Sequence, residues 1–110
     1  MSMEKDELYI KHILDAIHVI EGYTHGMNSN SFMKNKLVQD GVIRQLEIIG
    51  EASKRLSPGL KRSFKDIPWR DIAGTRDKLI HEYFGVNLRL VWKTVKKDIP
   101  LLKKKIMGLK

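Results

Sequence analysis

The chain contains no cysteine, which removes disulfides, thiolate metal sites and cysteine nucleophiles from consideration and fits a reducing compartment. It has no apolar run near the roughly 20 residues needed to cross a membrane. Its first residues, MSMEKDELYI, carry acidic groups and no apolar stretch, so a signal peptide is not expected. Internal repeats, low-complexity tracts and long linkers are also missing, and no run alternates with the period of a strand. These absences predict a cytoplasmic protein with one domain over residues 1–110, a length that buries roughly two-thirds of its unfolded surface. Acidic residues are in deficit: 13 Asp and Glu stand against 21 Lys and Arg, a formal charge of +8. Such a surplus concentrates polyanions near the surface. Nucleic acid is the first candidate, an anionic membrane or acidic protein the next, and a lysine-solubilised surface the plain alternative.

What is present is helical periodicity. A first helix is expected from about Glu4 to Tyr23, with Ile10, Ile13, Leu14, Ile17 and Ile20 on one face. A second is expected from about Phe32 to Leu56, with Val38, Val42, Leu46, Ile49, Ala52 and Leu56 on one arc. Gly41 and Gln45 fall inside that arc: the glycine would allow close helix approach, and a buried glutamine would need a partner. Ser57-Pro58-Gly59 should end this helix, leaving a connector with about one helical turn. A third helix starts at Pro68, where a missing N–H costs nothing, and runs through WRDIAGTRDKLIHEYF. A fourth spans about Leu88 to Ile106, with Leu88, Val91, Trp92, Val95, Ile99, Leu102 and Ile106 as its stripe. Pro100 lies inside it and should kink or break it. The expected architecture is an all-α, compact four-helix bundle with a kinked last helix.

The third helix carries the chemistry. On a wheel advancing about 100° per residue, Ile72, Leu79, Ile80 and Tyr83 fall within about 60° of Arg76. An arginine within an apolar stripe must reach a carboxylate, a carbonyl, a ligand or solvent. Asp77 and His81, four apart, can touch, which would orient the imidazole and raise its basicity. Structural readings stand beside these: a core ion pair for Arg76, a surface pair for Asp77 and His81, an aromatic anchor for Tyr83. Arg76 and His81 are separated by about 140° on a straight helix. They can therefore meet one phosphate only if the arginine bends round, the helix deviates or a second subunit contributes. His12, His18 and His25 have no metal-ligand spacing, so no metal site is expected. Arg89, Lys93, Lys96, Lys97, Lys103 and Lys104 share the side of the fourth helix opposite its stripe. They form either an RNA-contacting face, with Lys93, Lys96 and Lys97 as candidates, or a solvated one.

Arg76-Asp77-Lys78-Leu79-Ile80-His81-Glu82-Tyr83 resembles the Arg, four residues, His, one residue, Tyr motif of the HepT-like toxins of the HEPN superfamily. Ile49-Gly50-Glu51-Ala52, Ile67-Pro68-Trp69, Ile72-Ala73-Gly74, Val91-Trp92 and the DIPLL run from Asp98 are similar to the segments around that motif, in the same order. The resemblance implies a HEPN-like helical bundle and a homodimer whose motif helices border a shared cleft. It implies metal-independent cleavage of RNA, with the ribose 2′-hydroxyl attacking the adjacent phosphate and no cofactor. His81 would then move protons, Arg76 would hold charge on phosphate oxygens, and Asp77 would support them. The family often has asparagine where Asp77 stands, and a carboxylate cannot donate as an amide does. The likeness further implies a type II toxin–antitoxin system. Its partner would be an MNT-type nucleotidyltransferase antitoxin that AMPylates Tyr83. A non-catalytic helical scaffold that binds a nucleotidyltransferase or nucleic acid is the competing reading. An architectural DNA-binding bundle rests on charge alone.

Overall fold

The computed structural model describes residues 2–74 and 87–108. Every regular element among them is helical, and no strand occurs among them. The elements are α1 (Ser2–Thr24), α2 (Ser29–Met33), α3 (Lys36–Lys54), α4 (Pro58–Ser63) and α5 (69–74). A last rod then comprises α6 (Leu88–Lys93), a π-helical turn (Thr94–Asp98) and α7 (Ile99–Met107). The all-α expectation holds. Among the described residues two short helices stand beside the longer ones, α2 ahead of α3 and α4 in the connector where a helical turn was expected.

α1 and α3 form the central antiparallel pair. The direction follows from two contacts: Tyr23, near the end of α1, lies against Gly41, near the start of α3. At the other end Asp6 of α1 accepts hydrogen bonds from Ser57 N–H at 2.8 Å and Ser57 Oγ at 2.6 Å, just beyond α3. A Cβ added at Gly41 would sit 2.8 Å from Tyr23 Cε2, so the absent side chain there is what admits the ring. Ile13, Leu14, Ile17 and Ile20 from α1 meet Val42, Leu46, Ile49 and Ala52 from α3, all buried. Val91, Val95, Ile99, Leu102 and Ile106 of the last rod close the same core, and Lys103 ties that rod to Glu21 of α1 at 2.8 Å.

Several local expectations change. The second helix does not start at Phe32. Asn28 and Ser31 close a capping box on α2, and Asn35 caps α3 by accepting from Val38 N–H at 3.1 Å. The break lets Phe32 turn fully inward and stack on Trp92, ring centroids 4.9 Å apart. It also supplies the partner for a buried glutamine, which is Gln39 rather than Gln45: Gln39 Nε2 donates to the Phe32 carbonyl at 2.9 Å, while Gln45 is only partly buried. α3 ends at Lys54 rather than Leu56, and Ser57 caps α4, whose first turn contains Pro58. Pro100 does not break the last rod. The Ile99 N–H reaches back five residues to the Thr94 carbonyl, widening the turn ahead of the proline. Proline lacks an N–H and its ring crowds the carbonyl four residues earlier, and a π turn is one way to relieve both.

Candidate active site

α5 is approached through a tightly fixed lead-in. Phe64 ends α4, and its carbonyl accepts from Ile67 N–H at 3.2 Å and Trp69 Nε1 at 3.1 Å. Trp69 N–H bonds the Ile67 carbonyl at 2.8 Å, a tight turn over Pro68. The Pro68 carbonyl then accepts from Ile72 N–H at 3.0 Å, the first helical bond of α5, so Pro68 caps the helix instead of occupying its first turn. Ile67 and Ile72 are buried. From outside, Asp66 is held by Lys105 of α7 at 2.6 Å. That hydrogen bond from the ammonium holds the Asp66 carboxyl below the usual carboxylate range. Ordinary local signals (a proline, a tryptophan with a polar handle and one ion pair) thus aim α5 from three sides.

Arg76, Asp77, His81 and Tyr83, with Leu79 and Ile80 of the same stripe, lie outside the described residues. Ile72 and Gly74 are the last positions of the predicted motif helix that lie within them.

Beside Ile72 opens a cleft of about 230 Å³ between α5, α3 and the last rod. Its apolar lining is Leu46, Ile72, Leu90, Val91 and Ile99; its polar lining is Asp71, Lys93, Thr94, Lys97 and Asp98. Two of the three predicted RNA-contacting lysines, Lys93 and Lys97, are therefore brought together at one cleft. Lys96 is not with them: its ammonium lies 4.8 Å from the centre of the Trp92 ring, and it lines a different groove with Glu21 and His25. Lys103 is engaged by Glu21, while Arg89 and Lys104 are exposed. The basic face expected from the wheel is thus divided among several neighbours. Sequence reasoning did not single out Asp71, Thr94, Asp98 or Leu90. The available signal was Asp98 itself, an acidic residue set among lysines on an otherwise basic helix.

A more open groove of about 510 Å³ runs between α1 and α3, lined by Tyr9, His12, Arg44, Glu47 and Arg55 among others. Its charges are partly matched internally, as in Arg44 with Glu47 at 3.9 Å. Among the described residues no cluster of three or more His, Asp or Glu is placed to hold a metal ion. No helix among them is long and apolar enough to cross a membrane.

Fold and lining together define a small all-α protein with a cleft of mixed charge beside α5, Lys93 and Lys97 standing with Asp71 and Asp98. The family model described as "Ribonuclease HepT-like" matches residues 13–109, and the chain belongs to that family. It is 51% identical over 102 residues to "Probable ribonuclease HepT" of Thermococcus cleftensis, covering 93% of each chain. It is 41% identical over 104 residues to "Putative RNase TTE0752" of Caldanaerobacter subterraneus, covering 94% of this chain and 93% of that one. A third relative, "Gamma-glutamylcyclotransferase and putative RNase MJ0434" of Methanocaldococcus jannaschii, is 48% identical over 108 residues. There the match takes 97% of this chain but 49% of the relative, so this chain spans about half of that protein's length. No solved structure matches the chain.

Proposed function

We propose that the protein is a metal-independent endoribonuclease acting as a homodimer, with Arg76 and His81 as its catalytic residues. The observation that carries this is the intact Arg76, His81 and Tyr83 spacing in a chain of the HepT-like ribonuclease family. In the reaction, the ribose 2′-oxygen forms a bond to the adjacent phosphorus as the bond to the 5′-oxygen breaks. The 2′-hydroxyl proton passes to a base, and a second proton reaches the departing 5′-oxygen, leaving a 2′,3′-cyclic phosphate and a 5′-hydroxyl. An imidazole with an unperturbed pKa of about 6.5 serves either proton step near neutral pH. Two His81 side chains, one per subunit, divide them. Arg76 holds the extra negative charge on the phosphorane oxygens through its fixed, planar donors. A two-chain site also resolves the roughly 140° between Arg76 and His81 on a straight helix. Asp77 orients His81.

The same reading makes the protein the toxin of a type II pair. A nucleotidyltransferase antitoxin transfers AMP from ATP to the Tyr83 hydroxyl, the phenolic oxygen bonding to the α-phosphorus as pyrophosphate leaves and the hydroxyl proton is released, and this adds bulk and negative charge that repel RNA. The decisive experiment is cleavage of labelled RNA by purified protein in excess EDTA, with His81→Ala and Arg76→Ala alongside. Both folded variants should lose cleavage while EDTA leaves wild type unaffected. A folded, unmodified wild type that leaves several RNAs intact would sink the nuclease reading and favour a non-catalytic scaffold. Mass spectrometry of protein co-expressed with a nucleotidyltransferase partner should find AMP on the Tyr83 peptide; a consistently unmodified peptide removes that step.

A further inference from the structure

We infer that the cleft between α5 and the π turn is a subsite for one unstacked nucleotide of single-stranded RNA, with Lys93 and Lys97 on its phosphates and Asp98 reading the base edge. This deepens the ribonuclease reading and rests on it for the identity of the polyanion. The cleft, at about 230 Å³, is lined by apolar and by charged side chains, with both kinds on α5 and on the last rod. An unpaired nucleotide needs both, with a flat apolar base face, a polar base edge and an anionic backbone. Sequence-selective proteins commonly take RNA this way, with the base splayed out of its stack. Leu90, 43% exposed, is the apolar residue of the lining most open to solvent, suited to lie against a base.

The two lysines reach the cleft from successive turns of one rod, Lys93 at the end of α6 and Lys97 in the π turn. Both are exposed, so neither gives up a buried partner to meet a phosphate. Lys96 is directed elsewhere by Trp92, so among the described residues Lys93 and Lys97 are the lysines that line the cleft. Asp98 supplies the selective element. It is half-buried at the foot of the cleft, and its carboxylate makes no capping bond to α7. Thr94 donates its hydroxyl proton to the Leu90 carbonyl at 2.9 Å, leaving its oxygen as an acceptor toward the cleft. A base edge facing the Asp98 carboxylate must offer donors. Adenine and cytosine present exocyclic amines, and guanine an amine beside a ring N–H, whereas uracil flanks its single N–H with two carbonyls that a carboxylate repels. The subsite therefore discriminates against uracil. Ile72 forms part of the α5 side and precedes Arg76 by four residues in the sequence.

The test is binding of fluorescent 2′-O-methyl oligonucleotides, which lack the attacking hydroxyl and report binding without cleavage. The variants are Lys93→Glu/Lys97→Glu, a charge-matched control Lys11→Glu/Lys36→Glu on exposed sites of α1 and α3, and Leu90→Trp, each checked for folding by circular dichroism. Oligo(A) and oligo(C) should bind wild type about tenfold more tightly than oligo(U), the effect of one unmet polar group. The Lys93/Lys97 variant should lose at least about tenfold and lower the salt-dependence slope by about 1.4, the loss of two single-strand phosphate contacts at about 0.7 each. Leu90→Trp should weaken binding by narrowing the cleft while leaving the slope unchanged. Equal losses in the control pair and the cleft pair, or equal affinity for all three oligonucleotides, would overturn the subsite. Cleavage by wild type and His81→Ala decides the nuclease reading separately. Discriminating binding without cleavage supports the subsite and rejects the nuclease. Cleavage with unchanged binding in the cleft variants does the reverse.

Discussion

Replacing Gly41 by alanine should change the sign of its effect according to whether Tyr23 is present. The added Cβ would lie 2.8 Å from Tyr23 Cε2, 3.2 Å from Cδ2 and 3.3 Å from Cζ, so the ring must move. Alanine favours an α-helix interior over glycine by about 1 kcal/mol, and taken alone this would stabilise α3. Against it stands the packing of a ring that is 45% exposed. An aromatic side chain buries about 150–250 Å² when enclosed, so roughly half of that, about 100 Å², is at stake here. At about 25 cal/mol per Å² the ceiling is about 2.5 kcal/mol. A displaced but still surface-bound ring should forfeit most of it, giving about 1 kcal/mol of net destabilisation for Gly41→Ala. In a Tyr23→Ala background nothing opposes the propensity term, and the same substitution should stabilise by about 1 kcal/mol. The coupling is then about 2 kcal/mol, well above the scatter of a double-mutant cycle. Urea unfolding of the four proteins at one fixed concentration measures it, with equal m-values as the condition for comparison. If Gly41→Ala stabilises equally in both backgrounds, the ring is not seated on Gly41 and the account of the α1–α3 approach fails.

Two further outcomes follow from buried and paired groups. Ser53 is 1% exposed, and its hydroxyl has no hydrogen-bond partner among the described residues; Ser53→Ala should leave stability unchanged or raise it by up to about 1–2 kcal/mol, and a loss beyond about 1 kcal/mol in urea unfolding would mean the hydroxyl is satisfied. Asp66 has its acid form disfavoured in the folded chain by Lys105, so the pair stabilises above the unfolded carboxyl pKa of about 3.9 and fades as pH falls through the lower folded value. Thermal melts of wild type against Lys105→Met should differ at pH 7 in low salt and converge below about pH 3 or in high salt, as an exposed pair requires. A difference that ignores both pH and salt would assign the effect to packing of the lysine stem.

Periodicity made α1, α3 and the last rod legible because each buries one continuous stripe, and Ile13, Ile17, Val42, Ile49, Leu102 and Ile106 all fall where a 3.6-residue period puts them. The misreadings arose where a tertiary contact chose between equivalent local options. Asn35 can sit inside a helix or cap one. It caps because Phe32 gains full burial against Trp92 once α2 separates from α3, and that freed carbonyl then selects Gln39 over Gln45 as the inward glutamine. Pro100 signalled a disturbance but not its form, since a kink and a π turn relieve the same missing N–H. The lysines of the last rod part company for a similar reason. A wheel assigns Lys93, Lys96, Lys97 and Lys103 to one side, but flexible charged stems follow the nearest partner. Trp92 and Glu21 take two of the four.

What remains of that face gains meaning from how its walls are built. One wall, α5, is aimed by devices that lie outside the motif: the turn over Pro68, the Trp69 indole on the Phe64 carbonyl and the Asp66–Lys105 pair. The other wall is the π turn ahead of Pro100, and three of its residues, Thr94, Lys97 and Asp98, line the cleft. A π turn is a costly element, retained where a regular turn would misplace side chains and concentrated at functional sites. Here its residues face Asp71 and Ile72, which stand one turn of sequence before Arg76. Lys105 belongs to the same rod as that π turn, so the ion pair that steadies α5 also fixes the spacing between the two walls. Substitutions far from the motif, at Asp66 or Pro100, therefore act on the cleft through its width rather than through its chemistry. The proposed subsite spans both walls, so its affinity for an oligonucleotide should follow that spacing.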